Sequence, residues 1–488
     1  MKAIRAHALG GFSTSARARR GKTMSNASQD VDTWPSGTAL LSDGAALPRV
    51  ARGPGGRKRV VIVGAGFAGV AAARALERSD ADVLLIDRRN HHIFQPLLYQ
   101  VATAVLAPSE IAAPIRHLVG KQKNLNVLLG EATGVDLETR TIAVNSPGAG
   151  LRDVPFDFLV IAAGMRPSYF GHDEFARYAP GLKTLSDAET IRGKILAAYE
   201  LADAIDDEIE RTRAMTFILV GAGPTGVELA ASLAQMAALT LRGQFRRIDT
   251  AESAIILIEG GARILPTFSE RLAAKAARRL ERLGVKIMTG VKVEQVDENG
   301  VVANGKRIPS ATVMWTAGVA PSPLVRQLGA STDKTGRAAV GPFMDVEGAV
   351  GVFVVGDASS VVCKGRSVPG VAQAAIQQGR YVGRVISRQL EGHEAKRPFQ
   401  YFDRGNMAVV GKNFAIMESG RLRMSGFATW LVWVFLHLLS LPQLQNRLRV
   451  QRQWLWSYFT GQRSSRLIPE PPRAMAQGPE SHMGSSIP

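Results

Sequence analysis

Twice in this chain a short apolar run breaks into a glycine-punctuated turn, a small-residue helix and a second apolar run that ends in an acid. In the first copy residues 60–63 lead into Gly64, Gly66 and Gly69, residues 70–76 follow, and residues 83–86 end at Asp87. In the second copy residues 217–220 lead into Gly221, Gly223 and Gly226, residues 227–236 follow, and residues 255–258 end at Glu259. β-Branched runs this short, with helices between them, read as buried strands of a parallel sheet. The glycine spacing has a specific physical purpose. The first glycine makes the tight turn, the second admits a pyrophosphate close to the backbone, and the third lets the helix pack on the strand. The helix N-terminus then offers unpaired N–H groups to the phosphates, and the acid accepts hydrogen bonds from a ribose. One such turn is weak evidence. Two complete copies predict an α/β chain with two Rossmann-like dinucleotide-binding domains. The second copy is lengthened by residues 241–254, an Arg-rich polar insertion.

Two cradles imply two nucleotides. Glu259 would repel a 2′-phosphate, so NADH is expected over NADPH, with Arg263 close by to soften the preference. A third signature points to FAD in the first cradle. Residues 352–355 form an apolar run followed at once by Gly356 and Asp357. An acid at such a strand end binds ribityl hydroxyls, and a helix after it points its N-terminus at the pyrophosphate. The signature lies roughly 290 residues beyond the first turn, so chain returning from the second domain would complete the first.

Composition narrows the partners. A chain of 488 residues exceeds one ordinary core. Its 46% hydrophobic content and 49 glycines suit an ordered α/β protein. The formal charge of +18 favours anions: nucleic acid, anionic lipid or anionic cofactors. Residues 419–469 hold seven Arg, no Asp or Glu, and Trp430, Trp433, Trp454 and Trp456. Arg and Trp beside a long apolar run suit a membrane interface better than base stacking, so an anionic lipid surface is expected and no nucleic acid. The single cysteine, Cys363, excludes a disulfide framework, a four-Cys zinc site and a CxxC redox pair within the chain. His91 and His92 lack helical metal-ligand spacing, and no metal is expected. Residues 1–58 show no periodicity, and the first 29 carry six Lys or Arg and no acid. They read as a flexible basic extension, with an organelle transit peptide as the alternative.

Near the C-terminus, residues 427–442 are sixteen in a row without a formal charge. A bilayer span needs roughly 20, so the expectation is a helix lying on or dipping into the interface. Leu441, Leu444, Leu448, Leu455 and Phe459 then recur near helical period, with Arg447, Arg449 and Arg452 in other directions. A dimerisation or core helix pair is the competing reading.

Beyond the glycine turns, four stretches carry a resemblance: residues 90–103 (NHHIFQPLLYQVAT), 315–319 (WTAGV), 372–379 (AQAAIQQG) and the Trp- and Arg-rich C-terminal region. Over residues 58–467 the sequence resembles the type II, non-proton-pumping NADH:quinone dehydrogenases of the two-dinucleotide-binding-domain flavoproteins. The resemblance implies that Gly64, Gly66, Gly69 and Asp87, with Ala163, Gly164, Asp357 and the Gln373–Ala374 segment, hold FAD, and that Thr103 lies near the flavin ring. Gly221, Gly223, Gly226, Glu259, Ala317 and Gly318 would hold NADH. Glu228 matches an acid beside the nicotinamide, and Gln373 and Gln377 match glutamines where flavin and quinone meet. Read from the residues alone, Gln373 and Gln377 are four apart and share a helix face, and an amide can donate to a quinone carbonyl without bringing charge into an apolar site.

The expected division is a basic extension (1–58), an FAD domain in two parts (59–182 and 346–400), an NADH domain (183–345), a C-terminal membrane-associated helical region (401–469) and a flexible tail (470–488). The implied partners are a membrane quinone, an anionic lipid surface and a second copy of the chain. The implied location is peripheral, on the cytoplasmic face of a bacterial inner membrane or on a mitochondrial inner membrane. The rivals are a reductase of the same fold with another acceptor, of the sulfide:quinone or ferredoxin type, and a redox-sensing nucleotide-binding protein. A disulfide reductase needs a Cys pair soon after the first glycine domain, and residues 90–115 contain none.

Overall fold

The computed structural model describes residues 56–395 and 397–468. The basic extension therefore lies outside the described residues except at its last three positions, and the expected tail lies outside them entirely. Strand β1 (Lys58–Val63) runs into the first glycine turn and helix α1 (Phe67–Ala75), and strand β2 (Ala81–Asp87) returns beside β1. Helix α2 (Leu98–Ala102) and strands β3 (Leu125–Leu129) and β4 (Phe158–Ile161) follow. Val60 pairs in parallel with Val83 on one side and Phe158 on the other. Val60, Val61 and Ile62 are fully buried, as expected for a strand covered on both faces.

Helix α3 (Leu185–Ala204) leads to the second copy, opening on a capping box in which Thr184 and Asp187 exchange hydrogen bonds. Strand β5 (Thr216–Val220), helix α4 (Pro224–Gln235), strand β6 (Ala254–Glu259), helix α5 (Glu270–Arg282) and strands β7 (Val285–Thr289) and β8 (Thr312–Trp315) build a four-stranded parallel sheet in the order β7-β6-β5-β8. The first sheet has the same order, β3-β2-β1-β4, and is extended on the β4 side by β9 (Ala349–Val354). In each sheet the order reverses at the strand that carries the glycine turn, which opens a crevice at the strands' C-terminal ends. A short antiparallel ribbon, Met165–Pro167 against Val319–Pro321, ties the two sheets together.

After β9 the chain does not enter a helix at once. Gly356–Ala358 is a single 3-10 turn, a small hairpin intervenes, and only then does helix α6 (Ala372–Leu390) begin. Helix α6 lies against α1 so closely that a Cβ at Gly379 would sit 2.0 Å from the Ala68 carbonyl oxygen. Strands β10 (Asn406–Val409), β11 (Ala415–Ser419) and β12 (Leu422–Gly426) form an antiparallel sheet. Helices α7 (Phe427–Ser440) and α8 (Leu444–Thr460) end the described chain. Trp433, Leu441 and Val450 from this pair are buried in the same hydrophobic cluster as α2, α3 and α4.

Candidate functional site

The two glycine turns repeat one another atom for atom. Gly64 N donates to Ile86 O at 2.7 Å, and Gly221 N donates to Ile258 O at 2.7 Å. Ala65 N donates to Asp87 Oδ2 at 2.6 Å, and Ala222 N donates to Glu259 Oε2 at 2.7 Å. A Cβ at Gly69 would lie 1.7 Å from Gly64 O, and one at Gly226 would lie 1.9 Å from Gly221 O, so only glycine lets either helix approach its turn. Gly66 and Gly223, the N-caps of α1 and α4, face open space, with no atom within 4 Å of a Cβ built there. The first-turn N–H groups of each helix therefore border open space of the kind a pyrophosphate can occupy. Ala163–Gly164 and Ala317–Gly318 occupy equivalent places beyond β4 and β8, and both glycines have left-handed backbone, at φ +64° and +72°.

Each acid uses its second oxygen on the N–H two residues on. Asp87 Oδ1 accepts from Arg89 N and Glu259 Oε1 from Gly261 N, both at 2.8 Å. This fixes the carboxylates at the crevice edge, where they can accept further bonds from a ribose. Arg263, expected to soften the effect of Glu259, donates instead to the carbonyls of Leu265, Pro266 and Phe268. His92 packs beneath the first turn, with Nδ1 2.9 Å from Ala65 O. Its pKa is lowered by burial, so the ring is a neutral support.

Between the two crevices lies a cavity of about 190 Å³. Phe67 of α1, Tyr99 of α2, Lys183 before α3, Glu228 of α4, Asp357 after β9 and Ala372 of α6 all line it. Six separate parts of the chain thus meet at one space, and a flat ring system held there touches both units. Burial raises Glu228 to about 8, against a weak pull down from the Val409 N–H at 3.3 Å. Burial also raises Asp357, offset by the nearby Lys183 ammonium, and lowers Lys183. Sequence reasoning missed Lys183. It sits immediately before the Thr184 capping box, which fixes where α3 starts, but no spacing links it to Asp357.

The other expected site residues are placed differently. Thr103 is fully buried; its hydroxyl donates to Tyr99 O at 2.8 Å and shares a 2.7 Å bond with Ser232, so it stands behind the cavity wall. Gln373 and Gln377 lie on one face of α6, yet both amides are engaged with the loop 402–405. Gln373 bonds to Gly405 O and Arg404 N, and Gln377 to Phe402 O and N, all at 2.9–3.0 Å. Ala374 is buried in the first turn of α6. The C-terminal segment reaches the cavity through side chains. Trp454 donates to Gln100 at 2.7 Å, and Gln100 donates to the Tyr99 hydroxyl at 2.9 Å. Arg463, 6% exposed, donates to the carbonyls of Thr103 and Ser232. Trp315 belongs to the core, its ring 5.1 Å from that of Tyr169 and tilted 35° to it. Among the described residues no group of three or more His, Cys, Asp or Glu could hold a metal ion.

Residues 58–379 match the model of the pyridine nucleotide-disulphide oxidoreductase family. The type II NADH:quinone oxidoreductase Ndh of Mycobacterium tuberculosis (strain ATCC 25618 / H37Rv) is 42% identical over 426 residues, covering 85% of this chain and 91% of that one. The chain belongs to the type II NADH:quinone oxidoreductase family. The demethylphylloquinone reductase NdbB of Synechocystis sp. (strain ATCC 27184 / PCC 6803 / Kazusa) is 30% identical over 410 residues, which cover 82% of this chain and 96% of that one. Among solved structures, NDH2 from Plasmodium falciparum in complex with NADH superposes with a TM-score of 0.78 at 19% identity, over 84% of this chain and 99% of that one. That likeness gives the fold.

Proposed function

We propose that this protein is a flavoenzyme that takes a hydride from NADH onto FAD and passes two electrons to a membrane quinone, without pumping protons. The observation that carries the reading is the shared cavity, where Phe67 from the first glycine helix and Glu228 from the second face one space. FAD belongs in the first cradle (residues 59–182 and 346–400) and NADH in the second (183–345). When bound, FAD supplies the two-electron chemistry. The chain supplies binding, orientation and protons. Gly66 and Gly223 leave room for the two pyrophosphates, Asp87 and Glu259 take the riboses, and Asp357 with Lys183 borders the ring system. Ala163, Gly164, Ala317 and Gly318 line the backs of the crevices. Glu228, protonated at neutral pH, holds a proton at the cavity for the quinone as it is reduced. Gln373 and Gln377 act on the quinone side by holding loop 402–405, with its exposed Phe402, against α6. Thr103 supports Tyr99 from behind.

No helix among the described residues is long and apolar enough to cross a membrane. Phe435, Leu436 and Leu439 on α7, with Leu444, Leu448, Leu455 and Phe459 on α8, are all exposed. We assign this face to an anionic lipid surface, which lets a water-insoluble quinone reach the cavity from the bilayer. A homodimer is proposed with it, read as twice the 52.3 kDa chain mass in detergent. The test is a steady-state assay of purified, flavin-loaded protein with NADH and a short-chain quinone. Turnover of both in equal amounts is expected. NADH oxidation that ignores the quinone would contradict the reading.

A further inference from the structure

A second cavity, of about 320 Å³, opens where the α7–α8 hairpin meets the body of the protein. His91, Ser109, Gln443, Gln445, Asn446 and Arg449 supply its polar lining. No Asp or Glu lines it, and Arg449 is its only formal charge. Arg449 makes no ion pair or hydrogen bond with the described residues. Glu110 is an acid near it; its carboxylate caps the Ala107 N–H at 2.7 Å and lies within electrostatic reach of Arg449 and Arg452. Asn446, 2% exposed, donates to Ala112 O at 2.9 Å and pins the helix against the cavity's rear wall.

The position of Arg449 on α8 gives the cavity its meaning. At about 100° per residue, Leu444, Leu448, Leu455 and Phe459 share a sector of about 60°, and they are 69%, 59%, 52% and 80% exposed. The next sector carries Arg452, Gln445 and Arg449. Beyond it come Asn446 and Val450, which face the body. The cavity mouth thus sits on the border between a lipid-ready apolar stripe and the protein, on the stripe's cationic flank. An amphiphile with its tails along the stripe places its head at that mouth, and the charge there selects an anion. A guanidinium also matches a phosphate with two parallel N–H donors.

We propose that this cavity binds the headgroup of one anionic phospholipid, its phosphate on Arg449 and its acyl chains along Leu444, Leu448 and Leu455. The inference rests on the membrane attachment argued above and adds a specific site to it. Such a lipid holds the hairpin, and therefore Trp454 and Gln100 behind Tyr99, at a set depth in the interface.

The test uses the full-length holoprotein with vesicles of phosphatidylcholine alone or doped with phosphatidylglycerol. Wild type is expected to bind the doped vesicles more tightly. Arg449→Gln should weaken that binding at least about tenfold, the size of one charge-assisted contact. Arg421→Gln, the same charge change at an exposed site outside the cavity, should cost about fivefold or less, the effect of one cation near an anionic surface. Native mass spectrometry from mild detergent should show a retained phospholipid on wild type and its loss in Arg449→Gln. Both variants should reduce a soluble short-chain quinone at the wild-type rate, which excludes misfolding as the cause. Equal losses for the two variants, or an unchanged lipid adduct in Arg449→Gln, would overturn the site in favour of diffuse attraction. Wild type that binds both vesicle types equally would also overturn it while leaving attachment intact. Wild type that binds neither would remove the attachment reading itself.

Discussion

At the scale of single residues, the proposed proton carrier Glu228 makes the sharpest predictions. Its pKa is raised from 4.5 to about 8 by burial, so it is mostly protonated at neutral pH. Quinone reduction should fall as pH rises through about 8, and Glu228→Gln should remove that limb and slow the reaction about 10- to 100-fold. Linkage gives a second readout. A carboxyl whose folded pKa lies above its unfolded value contributes fully below about 4.5 and loses that contribution as pH rises toward about 8. Glu228→Gln should therefore gain stability relative to wild type across that window, measured by denaturant titration at several pH values. Glu259 is the residue proposed to set the choice of nucleotide, and Arg263 directs its donors to three carbonyls rather than to Glu259. Glu259→Ala should lower the ratio of kcat/KM for NADH over NADPH by about tenfold or more, and an unchanged ratio would remove its role. Asp87 and Glu259 were legible in the sequence because each ends the apolar run that follows its glycine turn and helix, even though the second copy carries a longer insertion before it. Lys183 was not, since its meeting with Asp357 is made by two chain segments far apart in sequence.

At the scale of elements, the strand–turn–helix unit is the functional part, and its geometry predicts how to disable each copy alone. A Cβ at Gly66 or Gly223 has no neighbouring atom within 4 Å, and both positions have ordinary extended backbone. Gly66→Val should therefore fold but purify without flavin absorbance. Gly223→Val should keep the flavin and lose only its reduction by NADH. These turns were readable because the whole constraint is local: a glycine where a carbonyl lies under 2 Å from a would-be Cβ, and a gap where phosphate goes. The α6 glutamines were readable as a pair on one helix face, but their partners were not, because loop 402–405 joins them only in three dimensions. Each amide makes two bonds to that loop, worth about 0.5–1.5 kcal/mol apiece. Replacing both Gln373 and Gln377 by Ala should slow flavin reoxidation by quinone more than its reduction by NADH. Equal slowing would argue against a role on the quinone side. The helix expected after Asp357 begins at Ala372, with a small hairpin between strand and helix that the sequence pattern did not mark.

At the scale of the molecule, the C-terminal hairpin belongs both to the body and to the exposed apolar face proposed to meet lipid. Trp433, Leu441 and Val450 are at most 3% exposed and lie in the main core cluster, each fully buried side chain contributing about 1.5–3 kcal/mol. Cutting the chain at residue 419 would thus unfold it and report nothing about membranes. Phe435→Ser, Leu439→Ser and Leu448→Ser together should leave the thermal midpoint unchanged and abolish sedimentation with vesicles; retained sedimentation would contradict the lipid face. Periodicity revealed the stripe but not the body's side of it. Leu441 reads as a stripe member, yet it turns inward at the hairpin, and a helix as apolar as α7 carries no sequence mark of which face is covered. The proposed function requires electrons to cross from one cradle to the membrane side through a single cavity. Anaerobic stopped-flow absorbance of the purified protein tests this most directly. NADH should bleach the flavin band, and a quinone mixed in next should restore it. A band that never bleaches, or one that stays bleached with quinone present, would contradict the account.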